Sequence, residues 1–403
     1  MREFVKSEKL NNVKYEVRGP VLDEANRMIA QGEKVLKLNI GNPAVFGFNA
    51  PEELFETLIA NVRPSQAYSD SKGIASARAA ILEYAHRKNL PNVTENDIFT
   101  GNGASELITM CMQSLLNPGD EILIPAPDYP LWTAAATLAG GKVVHYICDE
   151  EADWNPDIAN MRKLISDRTK AIVIINPNNP TGALYEVDVL RQIVELAREH
   201  GLIIFSDEVY DRVIMGGSPH TSIASMAPDL FCVTFNGLSK SHVVCGYRCG
   251  WMTLSGDKSR AQDYIEGLTT LSSMRLCANV LAQNVIAVSL KNDQVNPAVM
   301  PGGRLYEQCE YIHKALNDIP GVSAVKPKGA LYIFPKLDIK KFNITNDQQF
   351  AFDYLHQQKV LLVQGTGFNW PRPDHFRIVF LPNLDELQEA MVKLRVFLEH
   401  YHQ

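Results

Sequence analysis

The chain has 403 residues, of which 46% are hydrophobic and 21% charged, and its formal net charge is −7. This length suits a large core and two domains, and the composition is that of an ordinary globular protein. No basic tract indicates a nucleic-acid partner, and no apolar run approaches the roughly 18 residues of a membrane span.

The N-terminal sequence and the cysteines indicate where the protein is located and whether it binds a metal. The N-terminal sequence MREFVKSEKLNN has no apolar core, so we expect no secretory signal. The seven cysteines are scattered and form no CxxC pair. This spacing favours reduced thiols in a cytoplasmic protein and argues against a zinc site.

Short apolar runs alternate with helical patterns between about residues 95 and 255. Four runs are predicted strands with apolar residues on both faces: 121–127, 170–177, 201–210 and 231–237. Between two of them, the segment 187–201 has the apolar spacing of an amphipathic helix that Gly201 can end. Such alternation is typical of an α/β fold whose mostly parallel sheet is covered by helices.

The C-terminal part has a different pattern. It contains predicted helices at 304–321 and 384–401 and short predicted strands at 329–335 and 375–381. This pattern indicates a smaller α+β domain, which we expect the N-terminal segment to join. We therefore predict a large domain over residues 46–290 and a small domain built from residues 1–45 and 291–403.

Ligands of open α/β sheets bind at the carboxyl ends of the strands, so the residues that follow each predicted strand are the candidates for a site. After a strand candidate that ends near residue 101, the glycines and Ser105 of TGNGASELITM begin a helix. They can form a phosphate site or simply cap that helix. A dinucleotide fingerprint fits poorly, because Glu106 stands where the third glycine or alanine belongs. The turn NPNNPTG then places Asn179 where its amide can bind a ligand oxygen or serve the turn alone.

The strand 201–210 carries Asp207, Glu208 and Tyr210 at its end. Two carboxylates directly after an apolar run are costly unless other groups stabilise them. Asp207 and Tyr210 can flank one ligand, or they can be a capping carboxylate and a packed ring.

The last of these strands is followed by Ser239 and Lys240, with Arg248 eight residues further on. A P-loop would need glycine at 239, so this is not a nucleotide-binding lysine of that type. Lys240 can be a surface side chain, or it can form an imine with a ligand whose phosphate the hydroxyls and guanidinium bind. An imine-forming lysine, an aspartate and a phosphate cradle at successive strand ends together suit pyridoxal phosphate.

The sequence resembles the fold-type I pyridoxal-phosphate enzymes, specifically the class I/II aminotransferases, over essentially its whole length. The matching motifs are GNP (41–43), YSDSKG (68–73), NPNNPTG (176–182), DEVY (207–210), SK…GYRCGW (239–251) and FRIVF (376–380). Within the family, YEVRGP (15–20) and LSSMRLCAN (271–279) are similar to motifs of bacterial alanine (glutamate–pyruvate) aminotransferases. In one departure, Gly237 replaces a common phosphate-binding serine, so Ser239 and Arg248 are expected to carry more of that contact. In another, Cys249 replaces an aliphatic residue, and we expect this to change only the packing.

The resemblance implies a role for each cofactor-site residue. Lys240 is expected to hold the cofactor through an imine and then to move the substrate α-proton, while Asp207 pairs with the pyridine nitrogen. Asn179 and Tyr210 are expected to donate to the phenolic oxygen, and Tyr129 to stack on the ring. The expected phosphate ligands are Ala104, Ser105, Ser239, Arg248 and, across a homodimer interface, Tyr68.

The resemblance also implies how the substrate is bound. Arg377 is expected to bind the α-carboxylate with help from the Gly41 N–H, although it can also be a solvent-exposed arginine on an edge strand. For the distal carboxylate of glutamate, our candidate is Arg18 with Tyr15 beside it on a mobile N-terminal segment. Arg275 is a second, weaker candidate that can simply be structural.

The activity implied is transfer of the amino group between L-alanine and 2-oxoglutarate, with pyruvate and L-glutamate as products, in a ping-pong cycle. The alternatives are an aminotransferase of aromatic, aspartate or branched-chain specificity, or a C–S lyase of the same fold. A cofactor-binding regulator is disfavoured because the chain has no spare length or basic helix for a DNA-binding domain. A nucleotide-binding enzyme is disfavoured by the failed P-loop and dinucleotide patterns.

Overall fold

The computed structural model describes residues 3–13, 15–291 and 296–403. Its strands are β1 Leu36–Lys37, β2 Ile98–Asn102, β3 Glu121–Ala126, β4 Lys142–Asp149, β5 Asn155–Pro156, β6 Thr169–Ile175, β7 Ile203–Asp207, β8 Phe231–Gly237, β9 Cys249–Gly256, β10 Val322–Ser323, β11 Tyr332–Ile333, β12 Lys336–Leu337, β13 Val360–Leu361, β14 Val363–Gln364 and β15 Phe376–Val379. Its helices are α1 Pro20–Ala30, α2 Glu52–Asn61, α3 Ala75–Arg87, α4 Ala104–Leu115, α5 Leu131–Leu138, α6 Ile158–Leu164, α7 Val187–His200, α8 Leu238–Ser241, α9 Gln262–Met274, α10 Val280–Ser289, α11 Arg304–Asn317, α12 Asp347–Gln358 and α13 Leu384–His400.

An eight-stranded sheet with the order β2-β9-β8-β7-β6-β3-β4-β5 forms the centre of the large part. The five strands β8, β7, β6, β3 and β4 run parallel, and β2, β9 and β5 pair antiparallel at the two sides. Alternate residues of β6 enter separate cores, with Ile172 and Ile174 on one face and Val173 and Ile175 on the other. Apolar residues therefore point to both faces, as a sheet covered on two sides requires. This confirms the predicted α/β fold.

A third core lies among the C-terminal elements. Val21, Ala25 and Met28 of α1 pack into this core together with residues of α11, α12 and α13. The N-terminal segment therefore contacts the C-terminal part, while the domain boundaries at residues 46 and 291 stay a prediction.

Several predicted elements are shorter than their sequence patterns. The pattern 329–335 yields a strand only at Tyr332–Ile333, because Ala330 has a positive φ of 58° that breaks the extended backbone. The helix predicted at 304–321 ends at Asn317, before Pro320 and the left-handed Gly321. α7 ends at Gly201 in the left-handed conformation, as predicted.

The strand that carries Arg377 is not at an edge. β15 lies between β11 and β14 in a three-stranded antiparallel sheet.

Among the described residues, no helix combines the length and the apolar character that a membrane crossing needs.

Candidate active site

A cavity of about 570 Å³ opens at the carboxyl ends of the parallel strands, between the large sheet and the C-terminal part. Every predicted site residue lines it except Tyr68 and Arg275, the second candidate for the distal carboxylate. β6, β7 and β8 end beside the cavity, which places Asp207 and Lys240 on neighbouring strand ends. The sequence prediction that these side chains meet at one edge of the sheet therefore agrees with the geometry.

Lys240 lies in α8, the single helical turn that follows β8. Its amine donates to the carbonyl oxygen of Gly41 and lies 3.7 Å from the sulfur of Cys245. It forms no ion pair with a carboxylate of the described chain. The lysine therefore faces the cavity beside neutral acceptors, and no salt bridge competes for its nitrogen.

Asp207 ends β7 and is only 6% exposed. The indole N–H of Trp132 donates to its Oδ2 at 3.0 Å, and the backbone N–H of Val209 donates to Oδ1 at 3.3 Å. Burial raises the pKa of Asp207 to about 6, although these two donors act in the opposite direction. Within the described residues no cation pairs with it, so this carboxylate suits a ligand that brings a protonated nitrogen.

The first turn of α4 forms a cradle with Arg248. Gly103, with a φ of 80°, precedes this helix, and a Cβ there would lie 2.3 Å from the Arg248 Nη2. A Cβ at Gly250 would lie 2.5 Å from the backbone nitrogen of Ala104. Both glycines thus allow the guanidinium and β9 to approach the free N–H groups of the helix start. Such a site suits a phosphate, because the N–H groups, the helix dipole and the arginine all favour negative charge.

The close approach of strand β9 accounts for a glycine at position 237. A Cβ at this residue would lie 3.0 Å from the carbonyl oxygen of Cys249 on the adjacent strand β9. A serine at 237 would therefore require a small shift of that strand. Ser105 and Ser239 line the cavity and provide hydroxyl groups instead. Cys249 itself is buried at 3% exposure, in agreement with a packing role.

Arg377 is a buried guanidinium without a carboxylate partner in the described chain. It is 2% exposed and lies between the rings of Tyr332 and Phe368, whose centroids are 4.4 and 4.5 Å from its Cζ. It donates to Asn179 Oδ1 at 2.9 Å and to the backbone oxygen of Asn39, while its buried Nε has no partner. Burial lowers its pKa. The alternative of an exposed edge-strand arginine is therefore wrong, and a buried guanidinium without a carboxylate partner in the described chain suits an incoming carboxylate.

Two pairs of tyrosine hydroxyls border the cavity. Tyr210 and Tyr332 are hydrogen-bonded at 2.7 Å, and Tyr15 and Tyr129 at 2.9 Å. Burial raises the pKa of Tyr210 and of Tyr129, so both phenols stay protonated and can donate. The second pair joins the N-terminal segment to the loop after β3, and this segment covers part of the cavity.

Two charged residues singled out in the sequence, Arg275 and Glu208, lie outside the cavity. Arg275 already has partners within the chain: it forms an ion pair with Glu106 at 2.7 Å and donates to the Ser71 carbonyl oxygen at 2.6 Å. Glu208 is fully buried and pairs with Lys88 at 2.5 Å. Both arrangements are structural, so neither residue faces the ligand space.

Several residues that line the cavity, or that contact a lining residue, were not predicted from the sequence. Trp132 lies in α5, three residues after Tyr129. This spacing could have indicated that the two side chains lie on the same side of the helix start. Tyr332 had no local signal: its hydroxyl group packs closely against Gly41, where a Cβ would lie 2.2 Å from the hydroxyl oxygen. Cys245 and Phe368 likewise reach the site through the tertiary fold.

Taken together, this α/β fold holds around one cavity a lysine without an ion pair, a buried carboxylate, a helix start that suits an anion, and a buried arginine without a carboxylate partner in the described chain. That combination defines a class of enzyme in which a phosphorylated cofactor and a carboxylic acid substrate bind side by side. The chain belongs to the aminotransferase class I and II family, whose model matches residues 33–394. The predicted family is thereby confirmed.

Relatives and solved structures agree with this assignment. The chain is 57% identical over 404 residues to the glutamate-pyruvate aminotransferase AlaA of Escherichia coli K12, covering 100% of both proteins. It is 52% identical to the alanine aminotransferase of Mycobacterium tuberculosis H37Rv, covering 100% of this chain and 94% of that protein. The crystal structure of an Escherichia coli aminotransferase superposes with a TM-score of 0.98, at 56% identity and with 100% of both chains covered. The alanine aminotransferase of Pyrococcus furiosus gives 0.93 at 39% identity, covering 98% of this chain and 100% of that one. The predicted fold-type I architecture and aminotransferase class are confirmed.

Proposed function

We propose that the protein transfers the amino group between L-alanine and 2-oxoglutarate, with pyruvate and L-glutamate as the products, and that pyridoxal phosphate is its cofactor. The observation that carries this proposal is the buried Arg377, which has no carboxylate partner in the described chain and lines the same cavity as Lys240. A relative at 57% identity carries the name of this activity, which supports the choice of substrates.

The residues of the cavity fit the proposed cofactor. Asp207 lacks a cation and suits the pyridine nitrogen, and the cradle at the start of α4 suits the phosphate. When bound, pyridoxal phosphate supplies an electron sink for the bonds at the substrate α-carbon. The remaining proposed contacts are the phenolic oxygen with Asn179 and Tyr210, the ring face with Tyr129, and the phosphate with Ala104, Ser105, Ser239 and Arg248.

Two residues of the chain act on the substrate. Arg377 binds the α-carboxylate and so fixes the direction of the α-carbon, with the Gly41 N–H as a second donor. Lys240 moves the α-proton, since its amine lies in the cavity without a competing ion pair. Asn179 contacts Arg377 at 2.9 Å and thereby joins the substrate side of the site to the cofactor side.

Arg18 is the proposed partner of the distal carboxylate of glutamate. It is exposed and lines the cavity from the short turn Glu16–Arg18. This turn is attached at two points, because Tyr15 contacts Tyr129 at 2.9 Å and Glu16 accepts from Gln364 at 2.9 Å. A guanidinium at the rim of the cavity can bind the second carboxylate of glutamate, whereas the methyl group of alanine has no charge or acceptor for it to bind.

We further propose a homodimer in which Tyr68 reaches the cofactor phosphate of the partner subunit. Tyr68 is 81% exposed and lies outside this chain's own cavity. Large apolar side chains are also exposed on α2 and at the end of α9, among them Ile59 at 76% and Met274 at 74%. Exposed apolar groups of this kind are typical of an interface. Sedimentation equilibrium tests the dimer, and a monomer that binds the cofactor fully would contradict it.

All seven cysteines are free, which supports the proposed cytoplasmic location.

The experiment that tests the function is an absorbance spectrum of the purified holoenzyme before and after L-alanine is added without an acceptor. We expect a yellow band that fades, and that returns when 2-oxoglutarate is added. A yellow band indifferent to alanine would keep the cofactor and overturn the alanine assignment, and a panel of amino donors would then separate aromatic, aspartate and branched-chain specificity. Pyruvate and ammonia released from a cysteine conjugate without any acceptor would favour the C–S lyase. A protein that stays colourless with pyridoxal phosphate would overturn the proposal.

A further inference from the structure

Asp128 is a buried carboxylate that joins two parts of the site. It has no solvent exposure and immediately precedes Tyr129. Its backbone N–H donates to the Phe368 carbonyl oxygen at 2.9 Å, and the Asn369 side-chain amide donates to its Oδ1 at 2.7 Å. Thr133 donates to the other carboxylate oxygen at 2.6 Å. One residue therefore connects the loop after β3 with the turn that precedes β15.

Phe368 transmits that connection to Arg377. The Phe368 ring is fully buried, with its centroid 4.5 Å from the guanidinium carbon. Since Arg377 has no carboxylate partner in the described chain, its position depends on two hydrogen bonds and on the rings of Phe368 and Tyr332. A movement of the turn that carries Phe368 therefore moves one of the surfaces that hold the guanidinium.

Asn369 suits this connection both in its backbone and in its side chain. It ends the 3₁₀ turn Gly365–Phe368 in the left-handed conformation, with a φ of 58°, which asparagine tolerates. Its amide donates to Asp128 and lies 3.3 Å from the Thr133 hydroxyl. A buried carboxylate is costly unless such donors satisfy it, so the loss of either partner leaves the other group unsatisfied.

We propose that Asp128 is a positioning residue for the amino-group transfer: through Asn369 and Phe368 it holds the Arg377 guanidinium where the substrate α-carboxylate binds. The same side chain fixes the loop that presents Tyr129 to the cavity, so one carboxylate sets both sides of the site. The inference rests on the proposed function, because it takes an α-carboxylate as the ligand of Arg377.

The test compares holoenzymes of the wild type, Asp128→Asn and Asn369→Gly. Asp128→Asn keeps the shape of the side chain but presents an amide to two donors, and Asn369→Gly removes the amide at a residue whose φ suits glycine. Single-turnover absorbance changes are measured with L-alanine and with L-alaninamide, which lacks the carboxylate. We expect kcat/KM for L-alanine to fall about tenfold in both variants, mainly through KM, while the value for L-alaninamide changes little. The preference for the carboxylate over the amide should therefore fall about tenfold.

Two reference variants separate positioning from general loosening of the fold. Arg377→Lys shows the size of the effect when the guanidinium itself is lost. Asp97→Asn makes the same substitution at a buried carboxylate that accepts from Thr94 at 2.7 Å and does not line the cavity. We expect Asp97→Asn to lower Tm without changing the preference for the carboxylate.

An unchanged preference in Asp128→Asn and Asn369→Gly, with a reduced one in Arg377→Lys, would overturn the inference. If Asp128→Asn does not fold, Asn369→Gly alone decides. If the wild type fails with L-alanine but converts another amino acid, the alanine assignment fails, and the same preference measured with that amino acid and its amide still decides on Asp128.

Discussion

The indole N–H of Trp132 donates to Asp207 Oδ2 at 3.0 Å, and both residues are buried. Trp132 lies in the first turn of α5, the helix that follows the Tyr129 loop, whereas Asp207 ends β7. The hydrogen bond therefore ties the carboxylate proposed for the pyridine nitrogen to the loop proposed to cover the cofactor ring. It also lowers the pKa that burial raises, and so favours the ionised carboxylate.

Trp132→Phe tests this relationship. The rings of Phe205 and Phe235 pack on Trp132, with centroid distances of 6.0 and 5.3 Å. Phenylalanine at 132 keeps a ring against them but cannot donate a hydrogen bond to Asp207. A buried hydrogen bond to a charged group contributes about 1.5–3 kcal/mol, so we expect affinity for pyridoxal phosphate to fall about tenfold or more. Titration of the apoenzyme with the cofactor measures this loss. Trp251→Phe is the matched control, because Trp251 is equally buried and does not line the cavity; equal affinities in the two variants would contradict the prediction.

The pH dependence of apoprotein stability tests the environment of Asp207. Burial raises the pKa of its carboxyl group from 3.8 to about 6, so the folded apoprotein binds this proton more tightly than the unfolded chain does. Ionisation therefore reduces the free energy of unfolding as pH rises from about 4 through 6, and the reduction is complete above that window. The change in pKa corresponds to about 3 kcal/mol.

Asp207→Asn removes this proton from the balance. We expect the stability of the variant apoprotein relative to the wild type to increase by about 3 kcal/mol between pH 4 and pH 7, as measured by urea unfolding at each pH. Saturating cofactor should reverse the order at neutral pH, because the ionised carboxylate then has a protonated partner. A stability difference that is flat with pH would show that Asp207 ionises as readily as in the unfolded chain.

Arg18→Ala tests the proposed partner of the distal carboxylate. We expect kcat/KM for L-glutamate and 2-oxoglutarate to fall about 10- to 100-fold, since a hydrogen-bonded charge pair is lost, and the values for L-alanine and pyruvate to change far less. Arg27→Ala removes an arginine of α1 that pairs with Glu24 on the surface and should affect none of the four substrates. Equal losses for all four substrates in Arg18→Ala would mean that Arg18 does not read the distal carboxylate.

Much of the fold and site could be predicted because the chemistry lies at strand ends. Parallel strands deliver their carboxyl ends to one edge, so the residues after β6, β7 and β8 had to meet there whatever the details of the loops. Asn179, Asp207 and Lys240 were found for this reason. The strands themselves were recognisable because their apolar runs match a sheet buried on both faces.

The contacts between distant segments could not be predicted in the same way. Whether Arg377 is buried depends on the rings of Tyr332 and Phe368, and the close approach of Gly41 to Tyr332 depends on how the N-terminal segment packs. No periodicity encodes such pairs, because each half has an ordinary local sequence. The end of an element could not be predicted where a single backbone angle interrupts it. The positive φ of Ala330, for example, interrupts the strand predicted at 329–335.

Gly250→Ala tests the proposed phosphate cradle. The added Cβ would lie 2.5 Å from the backbone nitrogen of Ala104, so either β9 or the first turn of α4 must move, and the N–H groups would no longer converge on one anion. We expect the apoenzyme to lose about 100-fold in affinity for pyridoxal phosphate, because charge-assisted hydrogen bonds are lost, and to lose little for pyridoxal, which has no phosphate. Gly267→Ala is the control, since this glycine lies within α9 and its added Cβ would meet only the Ser114 side chain at 3.3 Å. Parallel losses for both ligands in Gly250→Ala would mean that the substitution disturbs the whole cavity and that the start of α4 does not bind the phosphate selectively.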